Sequence, residues 1–342
     1  MTTISRWVLR IAGVLLGFGL LVALVGFTYE QVGRARDASR LPPRIGQAID
    51  VGGGRTLNLY CSGEGSPVVI FETGGNAPGY SWVSVQSKIG EFTRACWYDR
   101  AGVGWSDPPS APRTSGSVAS DLHEMLRRAG VRPPYVLVGA SIGGEYARIY
   151  AALYPDDVGG LVLVDSTHPD QHEPHFMRSP VNRMPAGARR LLCIAEPVMA
   201  RLGVIRFVAS RMEQRDTLAK LEAQPKALQA DFDQACAATD GGRVVPANGG
   251  GNPDLDSAAR NAGDLGDRPL VVLTAGKYWA PTGLEKEAAE YHEIWVHQLQ
   301  ASLARLSTRG RQVVADAHHD MAEAPDVVVA AVRQVVDQVR DK

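Results

Sequence analysis

Between Tyr135 and Gly144 a short apolar run leads directly into Gly139-Ala140-Ser141-Ile142-Gly143, and no other stretch restricts the architecture as tightly. A serine with glycine two positions to either side, set between a strand and a helix, fits a turn so sharp that bulky flanking side chains would collide. That turn leaves the hydroxyl exposed at the edge of a sheet. The five-residue pattern alone is weak, because a chain with 36 glycines can produce it by chance. Its setting gives it weight: Tyr135 to Val138 has the composition of a buried strand, and Glu145 to Tyr154 continues as a helix ended by Pro155.

Strands and helices alternate on both sides of this turn. Ile45 to Val51 and Thr56 to Cys61 surround Gly52-Gly-Gly-Arg55 and predict a hairpin, followed by a strand at Val68 to Glu72. Helical patterns at Ser81 to Glu91, Ser117 to Ala129 and Glu145 to Leu153 are interleaved with strands at Ala95 to Tyr98, Tyr135 to Val138 and Leu161 to Val164. Such alternation predicts a mostly parallel, doubly wound sheet of eight strands covered on both faces. It stops after Asp165. Residues 169–267 are rich in Arg, Gln, Ala and Glu, with amphipathic helices expected at Leu191 to Arg201, Ala209 to Gln224 and Pro225 to Ala238. Sheet signals resume at Pro269 to Thr274, then a long helix near Leu284 to Leu306, a strand at Gln312 to Ala315 and a final helix from Pro325 to Val339. The expected organisation is a core in two parts, 45–168 and 268–342, around a helical cap at 169–267.

The amino-terminal region differs in kind. Ile11 to Tyr29 carries no charge over 19 residues and follows Arg6 and Arg10. At about 1.5 Å per residue it is long enough to cross the apolar core of a bilayer. A transmembrane anchor over 7–29 and a polar linker over 30–44 are expected; a cleaved signal peptide is the alternative, although no A-x-A-like site precedes the charges. Gly13 and Gly17 have the spacing of a close helix–helix contact, a pattern common in spans. Arg34, Arg36, Arg40 and Arg44 follow the span, so charge counting alone does not orient it. Four cysteines, Cys61, Cys96, Cys193 and Cys236, allow three complete pairings, which leaves them open. An extracytoplasmic domain is the reading adopted. The net charge of -1 and a pI near 6.7 give no electrostatic reason for nucleic-acid binding.

A serine hydroxyl is a poor nucleophile near neutral pH and needs a base within hydrogen-bond reach, itself oriented by a carboxylate. In doubly wound sheets such groups collect beyond the carboxyl ends of the parallel strands. His318 and His319 immediately follow the last strand, and Asp165 ends the sixth. His168, His172 and His175 could in principle hold a metal, but Pro169 and Pro174 break their helical spacing, and solvated histidines at the mouth of the insertion are the preferred account.

With Tyr98-Asp-Arg-Ala-Gly-Val-Gly-Trp-Ser-Asp107 similar to a D-x-x-G-x-G-x-S loop, and Glu72-Thr-Gly-Gly-Asn76 in the place of a His-Gly loop, the chain resembles the α/β-hydrolase superfamily over roughly 45–165 and 267–340. The resemblance implies that Ser141 is the nucleophile. It selects His318 as the base, seven residues before Pro325. The usual acid position after the seventh strand, Ala275-Gly-Lys-Tyr-Trp-Ala-Pro281, contains no carboxylate, so the alternative family position after the sixth strand assigns the acid to Asp165, with Asp170 and Glu285 as fallbacks. The backbone N–H groups of Ile142 and Gly75 are the implied oxyanion donors. A small-molecule acyl substrate is expected, and no metal or organic cofactor is required.

The expected activity is carboxylic ester hydrolysis. A proline iminopeptidase-like aminopeptidase is the nearest rival and would draw on cap carboxylates such as Glu213, Glu222, Asp231 or Asp233 to hold an amino group. Epoxide hydrolase and haloalkane dehalogenase readings are disfavoured, because members resembling those enzymes carry aspartate where this chain has Ser141. A non-catalytic binding protein of the same fold is the alternative outside enzymes.

Overall fold

The structure is a computed structural model describing residues 3–40, 43–75, 77–110, 114–171, 195, 198–199, 201–209, 239–240, 243–244, 253–280, 283, 285–319, 321 and 324–342. Two compact units are present, one of Met1–Pro43 with Pro185–Phe232, the other of Arg44–Met184 with Asp233–Lys342.

The larger unit is built on an eight-stranded sheet: β1 (Gln47–Gly52), β2 (Arg55–Ser62), β3 (Val68–Glu72), β4 (Ala95–Tyr98), β5 (Tyr135–Ala140), β6 (Val158–Val164), β7 (Leu270–Ala275) and β8 (Gly310–Ala315). Their spatial order is β1-β2-β4-β3-β5-β6-β7-β8. The β1–β2 and β2–β4 pairs are antiparallel and all the others parallel. Parallel strands need covered crossovers, and the chain supplies them as helices. Among the helices are α2 (Val83–Ile89), α3 (Ser115–Arg128), α4 (Ile142–Leu153), α6 (Pro253–Asn261) and α9 (Pro325–Arg340). Successive side chains of a strand point to opposite faces, so two cores form. Leu137, Leu161, Leu163 and Val272 pack with Leu122, Met125 and Ile149 on one face. Val136, Val138, Val162 and Leu273 pack with Val85, Val328, Val332 and Val335 on the other.

The predicted hairpin is present, its turn passing through Gly52, Gly53 and Gly54 with φ of +88°, +65° and +73°. Between β7 and β8 the expected long helix consists of α7 (Glu285–Ile294), a π-helical turn at Trp295–Gln300 and α8 (Ala301–Ala304).

In the smaller unit, α1 runs without interruption from Thr3 to Arg40, so the segment expected as a linker is helical well past the apolar stretch. Its window Arg10–Gly33 has a mean hydropathy of 2.4, and its large apolar side chains are exposed. Helix α5 (Val204–Ala209) belongs to the same unit. Most of the helices expected in the insertion lie outside the described residues.

Candidate active site

Strand register brings the site together. Ala140 pairs with Val164 and Val164 with Leu273, so Ser141 and Asp165 leave adjacent strands at the same level. Ala275 pairs with Ala315, which starts the last loop at the same edge. Asp165 is buried and has φ +39°, an unusual conformation for a residue with a side chain. Its Oδ1 accepts hydrogen bonds from the Ala275 backbone N–H (2.9 Å) and the Trp295 indole N–H (2.8 Å). Its Oδ2 lies 2.6 Å from Nδ1 of His319. With Asp165 ionised, Nδ1 carries the proton and donates it to the carboxylate, which leaves Nε2 as the basic nitrogen.

The structure pairs Asp165 with His319, the neighbour of the His318 expected from the sequence. His319 is the imidazole joined to Asp165, six residues before Pro325 rather than seven. The displacement follows from the end of β8. Ala317 is fully buried, its carbonyl accepting from the Lys277 N–H at 3.0 Å, so the chain stays attached to the neighbouring loop for two residues beyond Ala315. The following turn closes with Met321 N–H donating to the carbonyl of His318. The fallback acid Asp170 instead pairs with Arg260 at 2.8 Å, and Glu285 binds the N–H of Gly283. His168 bonds through Nε2 to the Ser302 hydroxyl (2.8 Å), while its Nδ1 accepts from the Asp170 N–H. Burial pulls its pKa down to about 4, so the ring is a neutral hydrogen-bonding group. His172 and His175 lie outside the described residues.

Ser141 has φ +50° and ψ -126° at the N-cap of α4, yet its hydroxyl makes no capping bond. Serine is a favoured capping residue, so a hydroxyl turned away from that task is held by the surrounding backbone. Ser141 N–H donates to the carbonyl of Val164, and its carbonyl accepts from the N–H groups of Gly144 and Thr167, each at 3.0 Å. A Cβ at Gly139 would lie 2.5 Å from the carbonyl oxygen of Gly143, and one at Gly143 2.6 Å from that of Glu72. The glycines are therefore required by close backbone approach. Ile142 opens α4, and its N–H belongs to the first turn, whose donors have no partner within the helix. The loop after β3 crosses directly above: a Cβ at Gly74 would be 3.2 Å from the Ser141 Cβ, and Gly75 has φ +46°. Asn76 lies outside the described residues.

Residues 67–208 match the family model of the alpha/beta hydrolase fold. An AB hydrolase superfamily protein of Gibberella zeae is 24% identical over 301 residues, covering 80% of this chain and 87% of its own. Among solved structures, a thermophilic esterase from Thermogutta terrifontis superposes with a TM-score of 0.56 at 20% identity, covering 87% of this chain and 99% of its own. The chain has the α/β-hydrolase fold. The Bacillus subtilis protein YbdG is 28% identical over 193 residues, 56% of each chain, so the chain matches about half the length of that relative. A vacuolar membrane protein of Saccharomyces cerevisiae is 35% identical over 106 residues, 30% of this chain and 16% of that one.

Within the α/β-hydrolase fold, the loop after β4 supports the loop that follows β3. Buried Asp99 accepts from the N–H groups of Gly79 (2.7 Å) and Trp105 (3.0 Å) and from Asn58 (3.1 Å), while the Ser106 hydroxyl donates to its carbonyl. A side chain at Gly104 would strike the Asp99 carboxylate. Next in sequence, buried Arg100 donates to the carbonyls of Thr73 (2.8 Å) and Gly75 and pairs with Glu72 at 3.1 Å. The Tyr98 hydroxyl donates to the other oxygen of Glu72. Burial pushes the Glu72 carboxyl up, and Arg100 and Tyr98 oppose that shift. Sequence reasoning missed Arg100, Tyr98 and Trp295 as parts of the site. The first two sat in a recognised motif whose polar partners are 25 or more residues away, and Trp295 read as an apolar position of a long helix. A π-helical turn begins at Trp295, an irregularity often found at functional sites and invisible to a 3.6-residue period.

Proposed function

We propose that the protein is a serine hydrolase that cleaves carboxylic esters through an acyl-enzyme on Ser141. The observation that carries this reading is the 2.6 Å bond between His319 and buried Asp165 at the strand edge where Ser141 sits on its elbow. In the proposed reaction His319 Nε2 takes the Ser141 proton as Oγ attacks the acyl carbonyl. The N–H groups of Ile142 and Gly75 receive the developing oxyanion. The C–O bond to the alcohol then breaks, with the proton passing from His319 to the departing oxygen. Water, deprotonated by the same nitrogen, attacks the acyl carbonyl and returns Ser141. Asp165 keeps the imidazole in the required tautomer and stabilises the imidazolium.

The anchor reading is also a proposal. A 24-residue apolar window with exposed side chains favours α1 as a single membrane span. A disulfide between Cys61 and Cys96, opposite each other on β2 and β4, favours an oxidising, extracytoplasmic location for the larger unit.

Fluorophosphonate labelling tests the chemistry. Wild type and His318→Ala should label, whereas Ser141→Ala and His319→Ala should not; labelling of Ser141→Ala would overturn the mechanism. A panel of p-nitrophenyl esters of increasing chain length, run beside prolyl amides, separates the esterase from the aminopeptidase. Turnover of prolyl amides without esters would replace the proposed substrate class.

A further inference from the structure

The smaller unit contains a contact that the hydrolase chemistry does not explain. A segment of the insertion between β6 and β7 packs onto α1 at the end of its apolar window. A Cβ at Gly26 would lie 2.5 Å from the carbonyl oxygen of Leu202, and one at Gly33, two turns further along the same face, would overlap the Arg206 guanidinium. From the other side Gly203, with φ +67°, faces the ring of Tyr29, which a Cβ would approach to 2.9 Å. The Arg206 guanidinium reaches buried Glu30, with Nε 2.9 Å from Oε2. Glycines thus bring two backbones close, and an ion pair neutralises the charges enclosed between them.

The contact has a defined depth. Leu202 lies level with Gly26, inside the window Arg10–Gly33 and three residues, about 4.5 Å along a helix, before Tyr29. Arg206 lies level with Glu30 and Gly33, where the window ends. The segment exposes Val198, Val204 and Phe207 by 57%, 42% and 52%. Between Leu191 and Ala209 the only charged residues are Glu196, Arg201 and Arg206. On α1, Leu20, Leu21, Leu24 and Phe27 are exposed as well. Exposed apolar side chains on a segment packed beside a membrane span have lipid as their natural neighbour.

We infer that residues 198–199 and 201–209 belong to a second membrane-contacting element, lying beside α1 at the boundary between headgroups and acyl chains, with Val198, Val204 and Phe207 in lipid. The inference rests on the reading of α1 as a membrane span, and the test separates the two. Full-length protein with Cys193→Ser and Cys236→Ser is reconstituted in phosphatidylcholine–phosphatidylglycerol vesicles. The environment-sensitive dye NBD is attached to a single cysteine in Val198→Cys, Phe207→Cys or Leu16→Cys. All three positions are exposed in the structure, so the label does not disturb a core.

Dye at 198 and at 207 should emit as in an apolar medium and be quenched about twofold or more by lipids spin-labelled near the top of the acyl chain. Dye at 16 should respond best to a deep spin label. Water-like, unquenched emission at 198 and 207 with quenching at 16 would overturn the inference and leave the anchor standing. Loss of quenching at all three would remove the anchor as well. An apolar emission at 207 that no lipid label quenches would assign the face to a protein, a second copy included, and also defeat the inference.

Discussion

Asp165 carries three hydrogen bonds on two oxygens, and each has a separable role. The Ala275 N–H and the Trp295 indole fix the carboxylate, while Oδ2 remains directed at His319. In Trp295→Phe the ring is retained and one donor to a buried charged acceptor is lost, a change of about 1.5–3 kcal/mol. Turnover on a p-nitrophenyl ester should fall about 10- to 100-fold with little change in KM. Asp165→Asn disrupts the tautomer itself and should cost on the order of 10⁴ in kcat. Behind the elbow, burial pushes the Glu145 carboxyl up to about 8, reinforced by Asp256 and opposed by Arg148 and Thr167. In the unfolded chain it ionises near 4.5. The folded state therefore holds its proton through a window where the unfolded state has lost it. The contribution to stability is complete below pH 4.5, declines as pH rises, and by pH 9 has fallen by a few kcal/mol. Glu145→Gln should melt near wild type at pH 5 and higher than wild type at pH 9, as differential scanning calorimetry would measure.

Among elements, the loop after β3 depends on an arginine delivered by β4. Arg100 holds the carbonyls on either side of Gly74 and is itself held by Glu72. Removing one member of a buried pair leaves the other charge uncompensated, so Arg100→Met should destabilise by about 3–5 kcal/mol. Replacing both, as Glu72→Leu with Arg100→Met, removes that penalty and should recover most of the melting temperature. The Thr73 and Gly75 carbonyls would still lack their clamp. The double variant should keep at least a tenfold defect in kcat with a nearly unchanged KM. Recovery of both stability and turnover would show that the loop holds its position without Arg100. Other elements were legible from pattern alone: strands β3, β5 and β6 are apolar runs buried on both faces, and α3 and α9 carry clear amphipathic spacing. The His319 displacement was not, because residue counting from Pro325 has no access to the pairing of Ala317 with Lys277. Trp295 was hidden for a related reason, since its π-helical turn departs from the period used to read a helix.

At the scale of the whole molecule, the Cys61–Cys96 disulfide joins β2 to β4 across a sequence separation of 35. Closing a loop of that length limits the unfolded ensemble by about 2–4 kcal/mol. Cys61→Ala with Cys96→Ala should therefore lower the melting temperature by several degrees without changing KM. Sequence by itself determined the strand-and-helix alternation, the elbow at Ser141, the aspartate at the end of β6 and the apolar stretch of α1, because each is a local pattern of side-chain size and polarity. Tertiary structure decided which cysteines face each other, which of two adjacent histidines meets Asp165, how Arg100 reaches the loop above Ser141, and that Leu202 packs on Gly26. Those outcomes depend on strand register, loop closure and contacts between residues as many as 176 apart, and none of these leaves a periodic trace in the chain.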